Sequence, residues 1–91
     1  MSSILTDYIQ GVKTIEAIAK RLSALIDEKQ ISQYALCKSV AIDASNLYNI
    51  LYCRTKTTTL NVLILICDGL GITIQDFFNH ALFRRDNLEI E

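Results

Sequence analysis

The stretch SQYALCKSVAIDASNLYNILYCRTK, residues 32–56, carries two short apolar stripes at helical spacing with a very short break between them. Ser32 stands as an N-cap before Tyr34, Leu36, Cys37 and Val40, which predicts a helix of about two turns ending near Ser39 to Ala41. Asp43 stands as the next N-cap, and Leu47, Ile50 and Leu51 form the buried stripe of another short helix over residues 44–52. About four residues separate the pair, too few for anything but a tight turn.

Working outward, Ile15, Ile18, Ala19, Leu22, Leu25 and Ile26 fall on one helical face, with Lys20, Arg21, Asp27 and Glu28 off it, which predicts a longer helix over 14–29. Downstream, a polar loop at 53–58 leads to a helix capped by Thr59, with Leu60, Leu63, Ile66, Cys67 and Leu70 inward and Gly69 and Gly71 loosening its end. Thr73 to Asp76 matches the [ST]-x-x-[DE] capping pattern and opens a fifth helix carrying Ile74, Phe77 and Phe78. The expected fold is therefore all-α, a compact five-helix bundle over residues 14–80. Residues 1–13 are left as an arm or, through Ile4, Leu5, Tyr8 and Ile9, a further short helix; residues 81–91 are read as a C-terminal tail.

Ninety-one residues with 51% hydrophobic and 21% charged content can bury a core without metal or disulfide help. The longest apolar run, Val62 to Cys67, is too short to span a bilayer, and the first eleven residues carry Asp7 and no Lys or Arg. A cytoplasmic location without membrane contact is expected. Cys37, Cys53 and Cys67 are three, lie far apart in sequence and include no C-x-x-C pair, so they read as reduced thiols, with Cys37 and Cys67 in the core. Together with His80 they lack the close pairs of a zinc site, and no partner is evident that would orient His80 for Cys–His catalysis. Neither an enzyme nor a cofactor, metal or small-molecule ligand is expected.

The net charge of −1 is unevenly spread. Residues 32–61 hold Lys38, Arg54 and Lys56 against Asp43, the first third is balanced, and the last third is acidic. A positive balance confined to the middle is what a phosphate-facing surface requires. With Leu47, Ile50 and Leu51 turned inward, about 100° per residue puts Ser45, Asn49 and Tyr52 on the opposite face and Tyr48 at its edge. A solvated helix face normally shows Lys and Glu; this one is made of hydrogen-bonding groups suited to base edges and phosphates. Two tightly joined helices, a longer one before and two after, form the helix-turn-helix arrangement whose second member enters the major groove.

Residues 14–78 resemble the lambda-repressor and Cro-like family, also called the XRE family. The resemblance is carried by SQYALCKSVAIDASNLYNILYCRTK and TLNVLILICDGLGITIQDFF, most specifically by Ser32-Gln33, Leu36, Asn49-Ile50-Leu51 and Asp68-Gly69-Leu70-Gly71-Ile72. It implies that Gln33 braces the recognition helix and contacts a backbone phosphate, and that Ala44, Ser45 and Asn49, with Tyr48, read bases. It further implies phosphate contacts at Arg54 and Lys56, to which Asn46 and Tyr52 are added. Where the family usually has glycine, in the turn and again just after the recognition helix, this chain has Ala41 and Cys53. If the turn needs positive φ, Ala41 stores roughly 1 kcal/mol of strain.

On the fourth helix, Leu65 points about 160° and Val62 about 100° away from the core direction. With Leu82, Phe83, Leu88 and Ile90 they suggest a two-fold homodimer, the alternative for Leu65 being cover by residues 4–9. The function expected from these features is sequence-specific binding of double-stranded DNA and repression at an inverted-repeat operator. The alternative is a protein-interaction module of antitoxin or antirepressor type on the same fold.

Overall fold

A computed structural model describes residues 12–89. Five α-helices follow one another: α1 Thr14–Lys29, α2 Gln33–Val40, α3 Ala44–Leu51, α4 Leu60–Leu70 and α5 Ile74–Phe78. Three of them carry the hydroxyl cap that the sequence suggested. The hydroxyls of Ser32, Thr59 and Thr73 accept hydrogen bonds from the N–H groups of Ala35, Val62 and Asp76, satisfying donors that the first turn leaves free. Asp43 occupies the N-cap of α3, but its carboxylate makes no capping hydrogen bond.

The inward stripes meet in one core built on Leu22, Leu36, Leu47, Ile50, Ile66, Cys67 and Phe77, all fully buried. Leu51, expected in that core, is half-buried at its margin. Where α2 and α4 cross, Gly69 leaves no room for a side chain: a Cβ there would lie 2.6 Å from Leu36 Cδ1 and 2.9 Å from Val40 Cγ1. Arg21 of α1 closes the far end, its Nε and Nη2 donating to the carbonyls of Phe77 and Asp76 at 2.9 Å each. That satisfies the last turn of a helix too short to stand alone.

One geometry recurs at four helix ends. Gln30, Ala41, Cys53 and Gly71 all adopt left-handed φ, between 54° and 76°. After each, the next residue's N–H returns to a carbonyl five residues earlier: Ile31 to Ile26, Ile42 to Cys37, Arg54 to Asn49 and Ile72 to Cys67. This closure favours glycine because a Cβ crowds the following carbonyl oxygen. Here only Gly71 meets that preference, and the turn does take positive φ at Ala41, at 57°.

Several expectations are corrected. Leu60, expected inward, is 59% exposed: it is the first residue of α4, at the helix end where the buried stripe has not yet begun. The segment read as a tail folds back instead. A 3₁₀ turn at Ala81–Phe83 presses Leu82 onto Ala17 of α1, and Asn87, buried, donates from Nδ2 to the carbonyl of Ala81 at 2.7 Å. Phe83 packs on Phe77 and Phe78, with ring centroids 5.7 and 4.8 Å apart. Leu82 is therefore spent inside its own chain, Phe83 largely so, and neither leaves much surface for a dimer partner. Two short strands, β1 Val12–Lys13 and β2 Leu88–Glu89, pair in parallel, with Val12 opposite Leu88. Val62, expected off the core, is half-buried against it, whereas Leu65 stays 43% exposed. The expectations for Ile4, Leu5, Tyr8, Ile9 and Ile90 lie outside the described residues.

Candidate nucleic-acid interface

The core holds α3 by Leu47 and Ile50, and this fixes what the helix shows outside. Ala44, Ser45, Asn46, Tyr48 and Asn49 are all exposed, and so is Tyr52 just after the helix. No carboxylate interrupts this face after Asp43. The N–H groups of Ala44 and Ser45 make no hydrogen bond among the described residues, so the start of α3 presents donors outward.

At the other end, Tyr48 and Tyr52 stand one helical turn apart with ring centroids at 4.5 Å. The guanidinium of Arg54 lies over the Tyr48 ring, 5.4 Å from its centroid. Its placement begins in the backbone. Cys53, at φ 56°, turns the chain back, and the Arg54 N–H donates to the Asn49 carbonyl at 2.8 Å, tying the loop to the helix that carries the outward face. Beyond, the Thr55 hydroxyl donates to the carbonyl of Thr57 and holds the loop that carries Lys56. Arg54, Lys56 and Lys13 border one groove of about 470 Å³ together with Ile15, Glu16, Cys53 and Thr55.

Gln33, the first residue of α2, is exposed beside the Ser32 cap. Next to it, Tyr34 is 71% exposed and carries the Lys38 ammonium over its ring at 5.8 Å. Tyr34 was expected in the apolar stripe of this helix and is outside it; Lys13 was not singled out from the sequence. The four-residue spacing of Tyr34 and Lys38 signals such a pair on a helix, whereas Lys13 reaches the groove through tertiary packing that no local pattern encodes.

Among the described residues, the remaining reactive groups do not gather into a chemical centre. Burial, followed by the nearby Asp43 carboxylate, raises the pKa of Cys37. Burial, then Asp68, pushes Cys67 up to about 11 against the opposing effect of Arg21. Both stay thiols at neutral pH and offer no thiolate. His80 caps the 3₁₀ turn, where its Nδ1 accepts from the Leu82 N–H at 3.0 Å. Among the described residues no three His, Cys, Asp or Glu groups are placed to share a metal ion, and no helix is long and apolar enough to cross a membrane.

A family model described as Cro/C1-type HTH DNA-binding domain matches residues 21–81, a span that begins inside α1 and runs through α5. No curated protein and no solved structure matches the chain.

Proposed function

We propose that this chain, which belongs to the Cro/C1-type helix-turn-helix DNA-binding family, is a transcriptional repressor that reads an inverted-repeat operator as a homodimer. The observation that carries the proposal is the outward face of α3, free of carboxylates after Asp43 and ending in the cationic loop of Arg54 and Lys56.

In this account α3 lies in the major groove, and the work divides along its length. Ser45 and Asn49 read base edges, Asn49 through its bidentate amide to adenine, while Ala44 offers only a methyl contact to thymine. Tyr48 flanks them. Gln33, Asn46, Tyr52, Arg54 and Lys56 anchor the phosphates on either side, joined by the free N–H groups at the start of α3. A single domain touching a few base pairs has little specificity, and two copies related by a two-fold axis supply the rest. Among the described residues, Leu60, Ile64 and Leu65 of α4, 59%, 38% and 43% exposed, offer apolar surface for that contact.

The test is a selection of bound fragments from random duplex DNA. The proposal expects enrichment of an inverted repeat with half-site centres about one helical turn, roughly 10 base pairs, apart. An asymmetric single half-site contradicts the homodimer, and no enrichment at all points instead to a protein partner.

A further inference from the structure

We infer that Tyr48 is a positioning residue for Arg54: its ring is the platform that orders the guanidinium for its phosphate contact, so that the two side chains act as one unit in binding DNA. The inference rests on the phosphate role proposed for Arg54 and adds a residue that acts through it.

An arginine in a surface loop samples many rotamers, and fixing them on binding costs free energy. Here two constraints act before DNA arrives. The backbone of Arg54 is tied to the Asn49 carbonyl at 2.8 Å, and the guanidinium rests over the negative face of the Tyr48 ring at 5.4 Å. Tyr48 is in turn steadied by Tyr52 at 4.5 Å. Arg54 has no carboxylate within ion-pair distance among the described residues, so its charge stays available to an anion. A guanidinium held over a ring face keeps N–H donors that the ring does not use, and these remain for phosphate oxygens. At an exposed site such stacking favours the ordered arginine about two- to five-fold.

This gives Tyr48 a task that depends on its ring and not on its hydroxyl. It predicts that losing the ring weakens binding to all sequences, because phosphate contacts are blind to sequence. It also predicts that the ring is worth nothing once Arg54 is gone.

The test uses the full chain and fluorescence anisotropy on random-sequence duplex DNA, where base readout plays no part. Tyr48→Leu should weaken binding about two- to five-fold per subunit, with Tyr48→Phe binding like the natural protein. In an Arg54→Ala background, Tyr48→Leu should cause no further loss. Tyr48 is exposed, and circular dichroism will confirm that the variants keep their helices. If Tyr48→Phe is as weak as Tyr48→Leu, the hydroxyl makes the contact and the inference is wrong. Equal losses from Tyr48→Leu with and without Arg54 also overturn it, while leaving the DNA-binding account intact. If Arg54→Ala alone changes neither affinity nor salt dependence, the underlying phosphate role fails and the inference falls with it.

Discussion

Replacing Gly69 by alanine asks whether α4 packs on the first helix of the helix-turn-helix at its observed separation because one methyl group is absent. Gly69 sits in α4 where it crosses α2, and the added Cβ would meet Leu36 Cδ1 at 2.6 Å, Val40 Cγ1 at 2.9 Å and Ser39 Oγ at 3.2 Å. The first two are closer than real Cβ atoms come to their neighbours. Leu36 is fully buried and Val40 is branched at Cβ, so neither can swing aside without disturbing the core. Overpacking costs about 1 to 3 kcal/mol, and two contacts this short place Gly69→Ala in the upper half of that range. Against it stands a gain of about 1 kcal/mol in helix propensity on leaving glycine. The net expectation is destabilisation by about 1 to 2 kcal/mol. For a domain of this size it lowers Tm by about 4 to 16 °C. Thermal unfolding followed by circular dichroism measures it directly. A Tm equal to or above that of the natural protein would refute the close packing of α2 on α4, since propensity alone would then have decided the outcome.

Three further perturbations probe other parts of the account. Ala41→Gly relieves a left-handed Cβ strain of about 1 to 2 kcal/mol and adds about 0.4 to 1 kcal/mol of unfolded-chain entropy. A gain of about 0.5 to 1 kcal/mol should raise the denaturant midpoint at unchanged slope, and a lower midpoint contradicts the closure seen at φ 57°. Burial, and secondarily Arg21, lower the pKa of His80 below the ordinary 6.5, and its Nδ1 accepts a hydrogen bond only when unprotonated. The unfolded chain therefore binds this proton first: the contribution is complete above pH 6.5 and fades as pH falls through the lower folded value. Tm measured across that window should fall less steeply for His80→Ala, and parallel curves would exclude the effect. Leu65→Asp should turn a dimer into a monomer by light scattering, and a monomeric mass for the natural chain at tens of micromolar would remove the dimer from the account.

The helices were legible because each buries one face, and a stripe such as Leu22, Leu25 and Ile26 has no other economical explanation. Caps at Ser32, Thr59 and Thr73 were legible for an equally local reason, a hydroxyl three residues before the N–H it satisfies. What periodicity cannot say is where along a helix the buried stripe begins, and so Leu60 was expected inside. Left-handed closures are visible where glycine marks them, as at Gly71. At Gln30 no glycine marks one, although the same local backbone closure forms. The return of Leu82 onto Ala17 and the clamp of Arg21 on α5 depend on contacts across dozens of residues, which no local pattern records. In the candidate interface, the polar character of α3 was visible from spacing. The stacking of Arg54 on Tyr48 needed the geometry of the Cys53 turn.

The central claim is that α3 reads bases while the loop after it holds phosphate, and one paired titration tests it most directly. Asn49→Ala and Arg54→Ala are each titrated against the selected operator and against random DNA at several salt concentrations. The account predicts that Asn49→Ala loses about 1 to 3 kcal/mol of discrimination at one base pair per half-site and binds random DNA almost unchanged. Arg54→Ala should weaken both DNAs together and flatten the slope of log K against log salt by about 0.9 per subunit. Equal losses from both variants on every sequence would contradict α3 as the reader, and no loss from either would contradict the DNA-facing assignment of this surface.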